Sequence, residues 1–494
     1  MNKSVFIICI LLISIKINAQ PTSLDSTFGT FGIVKTIINA GNDHCVALAI
    51  QANGKIVAVG YTNPGTGNDF MIVRYNTNGT LDNSFGTNGV VVTQISISDD
   101  RATSLKIQSN GKIIVAGYAT YNSKKDFVVV RYNTDGTLDN SFGVNGIVRT
   151  TMSVHDDNAT SLNIQNDGKI VVGGNSYIYA ISIARYDTSG ILDNTFGING
   201  KVITLFNDIQ GNGRASLNCS SIQTNGKIII AGSITDTMGQ NFMLLRYNTD
   251  GGIDSSFGIN GMVRTGFITN YNDWVNGMVI QADGKIVCVG NSSPGPHCYI
   301  AIARYNDNGT IDFHSTNYCF DMGGALSVAL QNNGKIVTAG FNFSAGPYLS
   351  MTRYNTVGSP DNTFSPSGCV GSSLVNDAYG LAIQTDGKYV TCGTFYDFSL
   401  ARFKGDSYNN IDELNTNFNL NIFPNPAQDY ITIVNNSYDD YELLSIFSAQ
   451  GQLLIQKPIR QPKSIIDVSI LSRGIYFLRI SNQKNEKVAS FIKE

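Results

Sequence analysis

The sequence predicts an all-β protein, a seven-bladed β-propeller followed by a small immunoglobulin-like β-sandwich. Three observations carry that prediction. The first is composition. Of 494 residues, 50 are Gly, 25 Phe and 23 Tyr, while charged residues make up only 14%, against roughly 25% in ordinary soluble proteins. Such a chain is rich in turn and strand formers. The second is a motif, Gln-x-(Asn/Asp)-Gly-Lys, which occurs seven times with its Gly at 54, 111, 168, 226, 284, 334 and 387. The third is a change of pattern after Lys404, where the motif stops and a different set of short strands begins.

The chain opens with an export address. Lys3 precedes a mostly apolar run, Val5–Ile15, and Ile17-Asn18-Ala19 places a small residue before a cut at Gln20, so residues 1–19 read as a signal peptide. That run is too short to span a bilayer, and no later segment reaches 18 apolar residues, so no transmembrane segment is expected. Cys9 lacks a small residue before it, which argues against a lipoprotein anchor. The formal charge of −3 leaves no polycationic surface for nucleic acid. Seven cysteines remain after export, Cys45, Cys219, Cys288, Cys298, Cys319, Cys369 and Cys392. An odd number leaves at least one unpaired. No Cys-x-x-Cys occurs and the four His are scattered, so neither a metal site nor a cofactor is expected. Cys288 and Cys392 stand where other copies carry Ala, Val or Thr, and they read as small buried hydrophobes.

Residues 20–403 form seven repeats of about 55 residues. Asn-Gly or Asp-Gly between apolar runs is a hairpin signal, because both turn residues tolerate positive φ. The strand before the turn alternates, as in Val46-Ala47-Leu48-Ala49-Ile50. The strand after it ends in a Gly six places past the turn Gly: Gly60, Gly117, Gly174, Gly232, Gly290, Gly340 and Gly393. A third strand ends in Arg-Tyr. Asn-x-x-Gly then leads into Leu-Asp-x-x-Phe-Gly-x-x-Gly and a fourth strand, such as Val90-Val91-Val92. Four strands repeated seven times predict a propeller. Four places before the repeat Gln stand only small or compact residues, Ala47, Ser104, Ser161, Cys219, Gly277, Ser327 and Gly380. Crowding around an axis explains this, so that strand is assigned as innermost.

Gln-x-(Asp/Asn)-Gly-Lys, Arg-Tyr-Asn and Leu-Asp-x-x-Phe-Gly together resemble the delta-60 repeat propellers of bacterial secreted proteins, over about residues 24–404. That resemblance supplies no catalytic residues. Two copies depart from it: Ile311-Asp312-Phe313-His314 loses the Phe-Gly pair, and Pro360–Ser365 loses the Gly, so irregular outer edges are expected there.

Residues 404–417 are polar and Asn-rich and read as a linker. In residues 418–494, short strands such as Tyr430-Ile431-Thr432-Ile433 and Gly474–Ile480 alternate with Gly, Pro and Asn turns. Phe423-Pro424-Asn425-Pro426, the Gly451 turn, Gly474-Ile475-Tyr476 and the terminal Phe491-Ile492-Lys493 resemble the type A C-terminal sorting domain of the type IX secretion system of Bacteroidetes. The resemblance implies the type IX machinery as a partner, removal of the tail, and release or attachment at the cell surface.

No Gly-x-Ser-x-Gly, His-Glu-x-x-His or phosphate loop occurs. One set of positions varies where a binding face would lie. Eight places before the repeat Gln stand Asp43, Asp100, Asp157 and Asp273, with Asn376 in a fifth copy, and these are followed by His44, Arg101, Asn158, Trp274 and Asp377. On the strand order above they stand at one mouth of the channel, where a polar and aromatic rim suits a sugar, peptide or cation. For the Asp residues themselves, capping of loop amides is the favoured reading over ligand binding. The favoured function is non-enzymatic binding of an extracellular glycan or protein. The alternative is a hydrolase or lyase at the mouth using Asp100, Asp157 and His44 or His155.

A constant spacing predicts how the repeats are tied. An Arg stands eight residues before the Asp of Leu-Asp-x-x-Phe, or its variant, in Arg74/Asp82, Arg131/Asp139, Arg185/Asp193, Arg246/Asp254, Arg304/Asp312 and Arg353/Asp361. The seventh Arg, Arg402, has no such Asp after it, and the seventh Asp, Asp25, has no Arg before it. The segment Leu24–Thr36 is therefore expected to supply the outermost strand of the last repeat, with Asp25 beside Arg402.

Overall fold

The computed structural model describes residues 23–39, 43–65, 67–176, 180–206, 214–236, 239–268, 271–293, 297–317, 323–342, 348–372, 377–395, 397–406, 420–435, 443–448, 453–459, 461, 463–481 and 486–494. The expected signal peptide, Asn376 and the Gly451 turn lie outside them. Among the described residues every regular element is a β-strand. The chain divides into two compact units, Met1–Ser407 and Tyr408–Glu494.

The first unit is a succession of four-stranded antiparallel meanders. His44–Ile50, Ile56–Thr62, Asp69–Tyr75 and Val90–Thr93 pair in that order. The pattern recurs in units that begin at Asp100–Ile107, Asp157–Ile164, Arg214–Ile222, Asn272–Ile280 and Gly323–Leu330. A last set, Ala378–Ile383, Tyr389–Phe395 and Asp397–Phe403, contributes three strands. Its fourth comes from the other end of the chain: Ile33–Thr36 runs antiparallel to Asp397–Phe403, with Ile33 opposite Ala401 and Thr36 opposite Phe398. Each first strand lies beside the first strand of the next unit, and Ala378–Ile383 lies beside His44–Ile50, giving a propeller-like circuit.

The small residues of the first strand permit this approach. A Cβ on Gly277 would stand 3.3 Å from the Cα of Ser327, and one on Gly380 would stand 3.4 Å from the Cα of Ala47. Apolar side chains of neighbouring units merge into common cores, such as Ile114, Ala116 and Val129 with Ala159 and Leu162.

Each first strand also carries a bulge that local patterning does not reveal. The register shifts between Cys45 and Ala47 and at the equivalent place in the other units, leaving Val46, Thr103, Thr160, Asn218, Asn276, Leu326 and Tyr379 unpaired. Each second strand runs past the Gly expected to end it, as in Ile56–Thr62 and Ile113–Tyr121, and the bulge explains why that position is Gly. A Cβ on Gly60 would lie 1.7 Å from the His44 carbonyl oxygen, and one on Gly117 would lie 2.0 Å from that of Arg101. The other five glycines meet the corresponding carbonyl at 1.8–2.1 Å. The bulged backbone occupies the side-chain position. The turn glycines have a different reason, since all seven sit at φ between +80° and +84°.

Two expectations are corrected. Loss of the Phe-Gly pair at Phe313-His314 does not roughen the outer edge: Ile311–Asn317 is a seven-residue strand where most units have four. Without the loop the chain runs straight, with one register shift at Arg304/Tyr305. The outer strand Cys369–Ser372 also pairs regularly with Leu349–Thr352. The linker begins later than residue 404, because Asp406 accepts hydrogen bonds from Arg353 and Gln331 and is held in the first unit.

The second unit has two sheets. One contains Leu420–Phe423, Tyr430–Asn435 and Lys463–Asp467; the other orders Leu453–Pro458, Leu443–Ser448, Gly474–Ser481 and Glu486–Lys493. They share a core that includes Ile431, Ile433, Leu444, Ile446, Leu478, Ile480 and Phe491.

Candidate functional site

The four Asp residues expected at the channel mouth are fully buried. Asp43 Oδ2 accepts the backbone N–H of Ile38 at 2.8 Å, and its other oxygen accepts the Thr62 hydroxyl. Asp100 accepts the amides of Ile95 and Ser96 at 2.9 and 2.7 Å, and Asp157 those of Met152 and Ser153 at 2.8 and 2.9 Å. Asp273 accepts the amide of Phe267 at 2.9 Å, and burial raises its carboxyl above the usual range. Each carboxylate staples the loop that enters its own sheet. None has an exposed oxygen for a ligand, and Asp100 and Asp157 are not placed to act as surface acids.

The residue after each Asp behaves differently. It stands one place outside the bulge and pairs with the residue that follows the invariant Gly of the second strand. The pairs are His44 with Tyr61, Arg101 with Tyr118, Asn158 with Asn175 and Trp274 with Asn291, and in two units without the Asp the same positions hold Ser216 with Ser233 and Gly324 with Phe341. The Gly itself is constant, and the residue just past it varies: Tyr61, Tyr118, Asn175, Ser233, Asn291, Phe341 and Thr394. Sequence reasoning found His44, Arg101, Asn158 and Trp274 and missed their partners, as it missed Ser216 and Gly324. The signal was present: the position seven after the turn Gly varies although the one before it does not.

Two neighbouring units form a stack at this end. The His44 and Tyr61 rings lie 4.7 Å apart at 23°, and the Arg101 guanidinium covers Tyr61 at 4.7 Å. Lys125 Nζ stands 4.4 Å over Tyr118. Burial and the Arg101 charge lower the His44 pKa. Burial pushes Tyr118 up to about 12. Asp99 neutralises part of Arg101 at 3.1 Å. On the adjoining last unit, the Tyr379 hydroxyl lies 3.4 Å from Asp377, whose carboxyl burial also raises. Trp274 is half-buried, and Asn158 borders a cavity of about 800 Å³ with Lys124, His155, Asp156, Asn175 and Ser216. Asn175 is itself a clamp, donating to the Leu217 carbonyl at 2.9 Å and accepting its amide at 2.7 Å. No group of His, Cys, Asp and Glu among the described residues could hold a metal ion.

The opposite end is uniform. Arg74 Nε meets Asp82 at 2.6 Å and Arg131 meets Asp139 at 2.5 Å. The remaining spaced pairs within the repeats lie at 2.6–2.8 Å. Arg402 meets Asp25 at 2.9 Å across the two ends of the unit. The Lys of the turn motif joins each carboxylate: Lys55 reaches Asp82 at 2.7 Å, Lys112 reaches Asp139 at 2.7 Å and Lys388 reaches Asp25 at 3.3 Å. A hydroxyl two residues on, such as Ser84 at 2.7 Å, completes most sets. Burial opposes ionisation of Asp82 and Asp139, but these donors hold both carboxyls well below the usual range. Arg74 also covers Phe85 at 4.5 Å and donates to Thr134 O of the next unit. This repeated constellation is scaffold.

In the second unit the first and last sorting motifs are joined. Asn425 Oδ1 accepts the Ile492 amide at 2.8 Å, and Ala427 N–H donates to Ile492 O at 2.7 Å. Phe-Pro-Asn-Pro and the terminal strand form one edge.

The model of the domain of unknown function DUF5122, a β-propeller family, matches residues 51–85, 108–142, 165–196, 223–257, 281–312 and 331–364. A secretion system C-terminal sorting domain matches residues 421–494. The chain carries DUF5122 β-propeller repeats and a type IX sorting domain. The sorting domain marks it for export, to the cell surface or the medium. His44, Arg101, Asn158 and Trp274 lie outside the matched ranges, whereas Tyr61, Tyr118 and the Arg–Asp pairs from Arg74/Asp82 to Arg353/Asp361 lie inside them. Solved structures with a similar course include Sqt1 from Chaetomium thermophilum (13% identity, TM-score 0.45, 75% of this chain and 97% of that one). Others are a protein of unknown function from Dyadobacter fermentans (12%, 0.40, 76% and 99%) and a PL25 ulvan lyase (11%, 0.45, 76% and 96%). No curated protein matches the chain.

Proposed function

We propose that the protein is an exported seven-bladed propeller that binds an acidic glycan at the variable mouth and leaves its immunoglobulin-like sorting sandwich behind after export. The His44–Tyr61–Arg101 stack carries this reading. Flat aromatic faces suit sugar rings, and a guanidinium suits a uronate or sulfate group. Lys125 over Tyr118 adds a second cation, and half-buried Trp274 offers another stacking surface. Candidate ligand contacts are thus His44, Arg101, Asn158, Trp274 and Asp377 with Tyr61 and Tyr118, while Asp43, Asp100, Asp157 and Asp273 shape the loops that hold them.

A glycan array with the mature exported protein tests the proposal. Binding to acidic polysaccharides should weaken with salt and fall at least about tenfold in Arg101→Ala, the value of one lost charge-assisted contact. Binding that is indifferent to Arg101→Ala and Tyr61→Ala would refute the placement. A lyase or hydrolase reading retains one support, the raised Asp377 carboxyl beside Tyr379. Chain shortening of the bound glycan that disappears in Asp377→Asn would favour it.

A further inference from the structure

Seven seams join neighbouring sheet units, and one pair of positions faces across each of them. The residue six before the repeat Gln meets the residue five after the turn Gly of the preceding unit. In five seams the occupants share an apolar core: Ala102 with Val59, Ala159 with Ala116, Val275 with Ala231, Ala325 with Val289 and Ala378 with Ala339. In a sixth, Leu217 fills the space beside Gly173, 3.1 Å from where a Cβ would stand.

The remaining seam lies between the last unit and the first, whose inner strands, Ala378–Ile383 and His44–Ile50, come from opposite ends of the chain. There both positions are cysteine. Cys45 and Cys392 are 0% and 1% exposed and lie in one core cluster. Both are free thiols in this structure. Six seams hold ordinary hydrophobes, and the one that depends on chain ends holds a facing thiol pair.

We propose that Cys45 and Cys392 form a disulfide in the exported protein, locking the closing seam covalently between His44–Ile50 of the first unit and Tyr389–Phe395 of the last. Export brings the chain into an oxidising compartment, where such bonds persist. The step requires a thiol–disulfide exchange protein in its disulfide form. One thiolate attacks a carrier sulfur, releasing a carrier thiolate and giving a mixed disulfide. The second thiolate then attacks the protein sulfur of that intermediate and releases the other carrier thiolate. Two electrons pass to the carrier, and the two thiol protons end on its sulfurs or in water. Burial raises the Cys45 thiol well above its ordinary value. Exchange therefore takes place before the seam is fully packed or during its transient opening.

Peptide mass spectrometry on the mature protein from medium and cell-surface fractions, alkylated after denaturation without reductant, is the test. Peptides containing Cys45 and Cys392 should be recovered joined, while Cys219 and Cys288, also buried in neighbouring units, should carry the alkyl group. Reductant should lower the urea midpoint of the wild type further than that of C45A/C392A, in which both positions take the alanine found at other seams. Alkyl groups on both Cys45 and Cys392 in exported protein, or either cysteine joined elsewhere, would overturn the proposal. Equal reductant sensitivity of the two proteins would do the same.

Discussion

Asp25→Ala removes the acid that ties the N-terminal strand to the last sheet unit. Asp25 and Arg402 have side chains 4% and 5% exposed and lie 2.9 Å apart. Asp25 also accepts the Thr27 amide at 3.1 Å and hydroxyl at 2.7 Å, and it faces Lys388 at 3.3 Å. Removing one partner of a buried ion pair costs about 3–5 kcal/mol when the other is left bare. Arg402 is not left bare, because it keeps the Thr77 carbonyl at 2.5 Å, the Thr27 hydroxyl at 3.1 Å, Gln384 at 3.3 Å and the Phe28 face at 4.6 Å. The expected cost is therefore about 2–3 kcal/mol, near the value of a charge-assisted hydrogen bond. Asp312→Ala is the internal comparison. Its side chain is 26% exposed, and His314 replaces the usual hydroxyl two residues on. An exposed pair is worth about 0–1 kcal/mol.

Urea unfolding of the mature protein measures both variants, and hydrogen exchange at Ile33–Thr36 reports whether the seam opens. Asp25→Ala should expose those amides, whereas Asp312→Ala should not. Equal costs for the two variants, or unchanged exchange at Ile33–Thr36, would refute the closure argument. The pH dependence has a definite sign. Burial works against the Asp25 charge, but the Thr27 bonds with Arg402 and Lys388 hold its pKa at about 2. A depressed carboxyl stabilises the fold above the unfolded value of about 3.9 and loses that contribution as pH falls toward 2. The gap between wild type and Asp25→Ala should close over that interval.

Gly60→Ala should prevent folding of the first sheet unit or cost more than about 3 kcal/mol, since the new Cβ would stand 1.7 Å from a backbone oxygen that a bulge holds in place; yield of soluble protein and its thermal midpoint check this. Tyr132→Phe removes the hydroxyl bond to Thr93 at 2.8 Å and should cost about 1 kcal/mol in the same urea assay. Deleting Lys487–Glu494 removes the strand paired with Gly474–Ser481 and the Asn425 contact, so the protein should accumulate in the periplasm, as cell fractionation will show. Mass spectrometry of exported wild type should find no residues beyond the 404–417 segment; an intact Glu494 on the exported chain would contradict removal of the tail.

Much of this protein is legible in its local sequence because turns and strand alternation are local properties. Asn-Gly and Asp-Gly tolerate the positive φ that a tight turn needs, and the seven repeat glycines take it, so seven copies announce seven hairpins. The eight-residue Arg–Asp spacing exposed the unpaired Arg402 and Asp25, and with them the strand exchanged between the chain ends. Tertiary structure decided what each polar residue faces. Asp43, Asp100, Asp157 and Asp273 looked like a rim, but the loops fold back and bury them against backbone amides. The Gly six places past each turn looked like the end of its strand, yet the strand runs on and the cause of the Gly is a carbonyl displaced by a bulge on the facing strand. Tyr61 drew no notice in the sequence, and it meets Arg101 only because two sheet units pack side by side. Alternation along a strand is settled by the chain itself, whereas contact across a seam depends on backbone distances between units that no single repeat contains.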